Sequence, residues 1–239
     1  MAALGAIVRP WNKPIAMLMF VLAIAAVFLS PQESSKTAIV AGVAAFALTR
    51  ISARWALRLI AAGWITACLA VVPLALMAHR LDLHNANWLQ TTAQHRIIIW
   101  NFTAEQVLKA PVFGIGAYMT YIVGPTIAAQ NAPDEHLPRK LSRHSHDVYL
   151  QTWFELGAVG ALLLMTAGLM VLGRIGRLDP AVQPFGFATF CSAATLMASS
   201  YGIWQSWYMA IFGLTPVAFA IGARVFETGE VGAQSEKRL

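Results

Sequence analysis

The sequence predicts an all-α integral membrane protein, with about six transmembrane helices and one large external loop that contains an amphipathic helix. Three observations lead there. Hydrophobic residues make up 58% of the 239 and charged residues only 12%, with a mean hydropathy of +0.60, more than a soluble domain carries. Apolar runs near the roughly 20 residues that a bilayer core requires recur along the chain. Basic residues gather in short segments between those runs, as they do on the cytoplasmic side of a membrane.

The first run, 14–30, follows Arg9 and Lys13 like the core of a signal peptide. It is long and lacks a small-residue cleavage site before Pro31-Gln32-Glu33, so it reads as an uncleaved span. The second run, 37–48, is short. It counts as a span because the loops on either side then lie on opposite faces, and local thinning accommodates a short stretch. Runs 57–78, 148–172, 182–202 and 203–225 complete the six, and a polar tail from Glu227 carries no recognisable signal. The whole chain, 1–239, reads as a single membrane domain, with residues 79–147 forming the large loop. Cys68 and Cys191 fall inside predicted spans and read as core thiols rather than as a disulfide or metal pair.

Ten of the seventeen basic residues (Arg9, Lys13, Arg50, Arg54, Arg58, Arg174, Arg177, Arg224, Lys237 and Arg238) fall in short segments on one face. Both termini are then cytoplasmic and the loop is external. The other seven, Lys36, Arg80, Arg96, Lys109, Arg139, Lys140 and Arg143, lie outside. The sequence pI near 9.7 thus reflects topology plus an external basic patch, and nucleic acid is not an implied partner.

A loop of this length is functional or disordered more often than a passive connection. Residues 94–110 carry Ile97, Trp100, Ala104, Val107 and Leu108 at helical spacing, and Pro111 ends the pattern, predicting an amphipathic helix on or near the membrane surface. Arg96 lies one turn before Trp100, either as an anchor to lipid headgroups or as a substrate-binding cation. Phe113-Gly114-Ile115-Gly116 reads as a turn. Arg139, Lys140 and Arg143 cluster before the fourth span. Such a cluster contacts membrane lipids, or clamps the oxygens of a departing diphosphate.

The segment Arg143-His144-Ser145-His146-Asp147 holds the chemistry. With Asp134, Glu135 and His136 the two histidines fit no established zinc spacing, so no metal or other cofactor is expected. A neutral imidazole suits removal of a proton from a sugar hydroxyl, and neighbouring arginines favour that neutral form. Asp147 is placed to cap the fourth helix, and Gln151 and Glu155 follow at helical spacing, lining one polar face that must meet protein or water. Glu155, roughly 12 Å along the axis from Asp147, is either a functional carboxylate or a structural one bonded to a neighbouring side chain. Gly157 and Gly160 below it permit close helix packing. Tyr201, Trp204, Gln205, Trp207 and Tyr208 form an interfacial aromatic belt or a platform for stacking sugars.

These residues carry a resemblance. His146-Asp147-Val148-Tyr149-Leu150-Gln151, followed by Glu155-Leu156-Gly157 and Gly160, resembles the His-(Asn/Ser)-x-x-Leu-Gln…Glu-Leu-Gly-x-x-Gly signature of the O-antigen ligase and polymerase superfamily of bacterial membrane glycosyltransferases. Arg96-Ile97-Ile98-Ile99-Trp100, with Pro111 and Gly114-Ile115-Gly116, resembles the Arg-x-x-x-Trp…Pro…Gly-x-Gly pattern of that family's large periplasmic loop. The resemblance implies transfer of a glycan from undecaprenyl diphosphate to an acceptor hydroxyl, such as that of the lipid A core oligosaccharide, at the periplasmic face of the inner membrane, with no metal or nucleotide sugar. It implies His146 and Arg96 as catalytic residues, assisting acceptor deprotonation and binding the diphosphate. Lys36, Arg139, Arg143, His144, Gln151 and Glu155 are the candidate substrate-binding residues. Lys36 stands where the family's Ser-Arg-(Gly/Ser/Thr) motif has arginine, and keeps the charge without the bidentate fork. The match covers the carboxy-terminal part of a family with ten or more spans, implying a truncated chain or an additional membrane subunit. Glycan polymerisation and transfer to protein hydroxyls are chemically equivalent alternatives; a non-catalytic transporter or assembly subunit is the alternative of another class.

Overall fold

The computed structural model describes residues 13–122, 145–199 and 201–236, and among them every regular element is helical. Seven α-helices follow in order: α1 (Lys13–Leu29), α2 (Glu33–Ile51), α3 (Ala53–Arg80), α4 (Thr91–Val107), α5 (Val148–Ile175), α6 (Gln183–Ser199) and α7 (Ser206–Glu236), with a 3-10 turn at Leu83–Asn85. Three are long and apolar enough to cross a membrane: Ala53–Arg80, Val148–Ile175 and the Ser206–Arg224 part of α7. The six apolar runs each coincide with one helix, and the predicted amphipathic helix with α4.

Two boundaries differ for local reasons. Helix α2 starts at Glu33 rather than 37 because its polar first turn is satisfied internally and across the bundle: Thr37 Oγ1 donates to Ser34 O, and Ser34 Oγ to Ser199 O at 2.7 Å. Helix α7 continues to Glu236, through much of what hydropathy reads as a polar tail. Between α2 and α3 the chain reverses at Ser52 alone. Its N–H caps the end of α2 by bonding Leu48 O, while its hydroxyl accepts from Trp55 N at the start of α3.

The six apolar helices alternate in direction, and α4 runs alongside the first turns of α5 in the same direction. Along α2 and α6 the contacts Ser34–Ser199, Ala38–Ser192 and Phe46–Phe185 descend in antiparallel register. Along α3 and α5, Trp64 Nε1 donates to Met165 O and Trp153 Nε1 to Cys68 O. Aromatic donors thus reach second lone pairs of helix carbonyls, leaving no indole N–H unsatisfied between apolar helices. Trp64 sits edge-on to Tyr149 and Phe190, and with Cys68, Leu172, Ile175 and Phe187 forms one core cluster. The start of α5, the ends of α3 and α6 and the start of α7 therefore share one end of the bundle. Arg50, Arg54, Arg58, Arg174 and Arg177 lie toward the other.

Helix α4 does not lie apart from the bundle. Its buried residues Ile97, Ala104 and Val107 pack with Val72 and Ala75 of α3 and Leu150 and Phe154 of α5, while Leu108, expected on the inner face, is exposed.

The expected close packing of helices at Gly157 is corrected by the structure. Gly157, at φ 62° and ψ −158°, interrupts α5, and the segment 111–116 fills the interruption. Ile115 N and Gly116 N donate to the carbonyls of Phe154 and Glu155, at 3.1 and 2.8 Å, while Ala158 N and Val159 N donate to those of Pro111 and Val112. Four backbone groups released by the break are thus paired, as backbone at membrane depth requires. Gly114, at φ 65°, is the reciprocal glycine: a Cβ there would strike the backbone of Glu155 and Leu156, and one on Gly157 the backbone of Val112 and Phe113. Gly160 is buried, and the atoms nearest to a Cβ there belong to Leu156 of its own helix.

Candidate functional site

His146 is held from both sides. Ser145 and Asp147 are 1% and 6% exposed, whereas His146 between them is half-buried and takes a left-handed backbone, φ 56°. The Ser145 hydroxyl donates to Asp147 O at 2.6 Å, Ser145 O accepts from Trp100 Nε1 of α4, and Asp147 Oδ1 caps α5 by accepting from Leu150 N at 3.0 Å. A buried residue on each side and a left-handed residue between them fix the backbone at His146, whose side chain stays partly exposed. Histidine is among the few non-glycine residues enriched in that conformation. Its ring centroid lies 6.4 Å from that of Tyr201, in the segment joining α6 to α7.

Arg96 is half-buried on α4, one turn before the Trp100 that grips Ser145. Burial lowers its pKa from the usual arginine value, and the nearby Tyr201 phenol works against that shift. Arg96 and His146, fifty residues apart in sequence, are thus both related in space to Tyr201. Tyr201 was not among the expected site residues. No periodicity marks it, and its one sequence signal was membership of an aromatic cluster.

The same structure divides that cluster. Trp204 Nε1 donates to Glu155 Oε2, and Tyr208 is 3% exposed with its hydroxyl on Leu196 O, so these two rings are structural. Tyr201 and Trp207 remain exposed, with centroids 5.1 Å apart.

Gln151 and Glu155 form the polar stripe expected of them. Glu155, 2% exposed, accepts from Tyr118 N and Thr120 N, from Gln151 Nε2 and from Trp204 Nε1, while Gln151 Oε1 accepts from Ile203 N. One carboxylate therefore ties the segment after α4 and the segment before α7 to α5. Glu155→Gln keeps the volume but turns an NH2 toward N–H donors. Each donor left unpaired costs about 1–3 kcal/mol, so the melting temperature in detergent is expected to fall. Trp204→Phe in the same chain should then cost less than it does alone, because its acceptor is already compromised.

Burial raises the Asp147 carboxyl from the ordinary carboxylate range to about 7, opposed by the N–H groups of Leu150 and Tyr149 that favour the ionised form. The folded chain thus keeps a proton that the unfolded chain releases near pH 4. The stability this confers is complete below that pH and is lost as pH rises through about 7. Asp147→Asn retains an acceptor for the cap. It is expected to flatten the melting temperature between roughly pH 4 and pH 7, where the native protein declines.

Lys36 lies in the first turn of α2, at the His146 end of the bundle, with Nζ 2.9 Å from Glu33 Oε1. Arg139, Arg143 and His144 lie outside the described residues, as do Asp134, Glu135, His136 and Lys140. Among the described residues no group of three or more His, Cys, Asp or Glu side chains is placed to hold a metal ion.

The family model described as O-antigen ligase matches residues 18–165, a stretch that includes Arg96, His146, Gln151 and Glu155 but not Tyr201 or Trp204. A Rickettsia conorii protein named "putative polysaccharide ligase" is 28% identical over 199 residues, covering 81% of this chain and 48% of its own length. One of the same name from Rickettsia felis is 27% identical, covering 82% and 48%. A Rickettsia prowazekii relative, also so named, is 30% identical over 122 residues, half of this chain. The chain spans about half the length of the curated relatives it matches first. No solved structure matches it. With a family model covering more than half of the sequence, the chain belongs to the O-antigen ligase family.

Proposed function

We propose that this chain forms the catalytic part of a membrane glycosyltransferase that moves a glycan from undecaprenyl diphosphate to an acceptor hydroxyl, that of the lipid A core oligosaccharide. The observation that carries the reading is the left-handed, half-buried His146, held between Ser145 and Asp147 and sharing Tyr201 as a neighbour with Arg96, within a family-matched segment. All six apolar helices cross the bacterial inner membrane. The segments rich in short-range arginine face the cytoplasm, together with both termini, and the His146 end faces the periplasm.

His146 takes the proton of the acceptor hydroxyl as its oxygen forms a bond to the anomeric carbon. The bond from that carbon to the diphosphate breaks, and the leaving oxygen keeps the electron pair. Arg96 offers its planar donors to the growing negative charge, and its half-buried position strengthens the attraction. Lys36 adds a positive charge at the same end of the bundle, and Gln151 and Glu155 hold the segments that frame the site, while Arg139, Arg143 and His144, outside the described residues, are further candidates for binding the anionic donor. The length of the relatives supports an active assembly with further membrane helices, contributed by a longer chain or another subunit.

Expression in a ligase-null strain tests the reading through surface display of O-antigen. Native protein is expected to restore display, and Arg96→Ala, at equal membrane abundance, to reduce it by about 10²–10³-fold. Arg96→Lys should recover only part of the loss, since the bidentate fork is absent. Equal display with and without Arg96 would overturn its assignment.

A further inference from the structure

The segment that joins α6 to α7 is tied to α5 by two side chains. Gln151 Oε1 accepts from Ile203 N at 3.3 Å, and Glu155 Oε2 accepts from Trp204 Nε1. Before these ties stands Tyr201, its ring centroid 6.4 Å from that of His146 and itself a neighbour of Arg96. After them stands Trp207, whose ring meets those of Tyr201 and Tyr208 at 77°, with centroids 5.1 and 5.5 Å away. Tyr208 is buried and its hydroxyl donates to Leu196 O, which anchors the row of rings in the bundle. Tyr201 and Trp207, by contrast, are 38% and 47% exposed.

We propose that Tyr201 and Trp207 form a saccharide-binding subsite that seats a sugar ring of the acceptor against their exposed faces, next to His146. A pyranose has a face made mainly of C–H bonds, slightly positive, which matches the negative face of an aromatic ring and leaves the sugar hydroxyls at the rim. Ordering the two rings costs little, since each has only two side-chain torsions and their mutual contact already restricts them. The placement suits a sugar carried by a lipid. Trp207 heads an exposed apolar face of α7 that continues through Ile211, Leu214 and Ile221 at helical spacing, so the pair stands where that face gives way to the His146 site. An interfacial anchor needs amphipathic rings at that depth and nothing more. Trp55, exposed at the opposite end with the Arg58 guanidinium over its ring, answers to that description. The Tyr201 segment adds two hydrogen-bonded ties to α5 and adjacency to His146. The pair also lies outside residues 18–165, so the subsite is not part of the family-matched segment. Its assignment to the acceptor rests on His146 being the base that takes the acceptor's proton; the binding of a sugar does not.

The test is saturation-transfer difference NMR of the purified full chain in detergent, with core oligosaccharide released from lipopolysaccharide as the probe. Ring C–H protons of the sugar are expected to receive saturation from the protein. Tyr201→Leu and Trp207→Leu should each weaken binding by about 3- to 10-fold at an unchanged melting temperature. Tyr201→Phe keeps the ring and should bind as the native chain does. Trp88→Leu removes an exposed indole from the segment between α3 and α4 and should also leave binding unchanged. Absence of native binding, undiminished binding in both leucine variants, or equal loss in Trp88→Leu would overturn the subsite. Dependence on the two rings for an O-antigen repeat oligosaccharide, but not for the core oligosaccharide, would overturn its assignment to the acceptor. Display of O-antigen in the ligase-null strain reports separately on transfer: ring-dependent binding without display would remove the transfer reading and keep the subsite, whereas display with ring-independent binding would do the reverse.

Discussion

Replacing His146 with asparagine is expected to lower glycan transfer by about 10²–10⁴-fold, the usual contribution of a positioned general base, while leaving the melting temperature unchanged. Asparagine is the informative substitution because position 146 is left-handed, and asparagine, like histidine, is enriched there. Its amide has no basic nitrogen, so the backbone is preserved while proton removal is lost. The Ser145 and Asp147 bonds that flank the residue involve neither side-chain atom of position 146 and should survive. O-antigen display and thermal unfolding, measured on one preparation of the full chain, separate the two effects. Display equal to native would remove His146 from the chemistry, and a fall in melting temperature matching the loss of display would make its role structural.

Gly157→Ala is expected to destabilise the fold by at least about 3 kcal/mol, enough for the chain to fail to accumulate in the membrane. The backbone at φ 62° and ψ −158° lies in a region reached almost only by glycine. Space is refused as well, since an added Cβ would meet the backbone of Val112 and Phe113, which cannot rotate away as a side chain does. Withdrawal of that segment would release four backbone hydrogen bonds, of Ile115, Gly116, Ala158 and Val159, in an environment where unpaired groups cost several kcal/mol each. Gly114→Ala should reproduce the defect from the opposite side of the contact. Gly173→Ala in the same helix has open space around its Cβ position and should be tolerated. Normal accumulation and an unchanged melting temperature for Gly157→Ala would show that the interlock does not support the fold.

Much of the site was legible along the chain because it is helical and local. Asp147, Gln151 and Glu155 recur every fourth residue, which on a helix forms one face, and they form the N-cap and the bonded pair that this spacing implies. The all-helical class was equally accessible, with three of the helices long and apolar enough to cross a membrane. Tyr201 was not, since its relation to His146 depends on how α6 returns to the start of α5, fifty-five residues later. The two readings of the aromatic cluster were also indistinguishable in sequence. A tryptophan that satisfies a buried carboxylate and one that faces solvent have the same neighbours along the chain.

Apolar length and helical period are sums over neighbouring residues, so the amino-acid order alone sufficed to specify the helices, the apolar character that suits a membrane and the face of α5 that carries polar groups. The break at Gly157, the filling of that break by residues 111–116 and the position of Tyr201 beside His146 are pairings between distant segments. Only the folded bundle decides these, because a backbone carbonyl freed in one helix acquires a partner only when another part of the chain is brought within hydrogen-bonding distance.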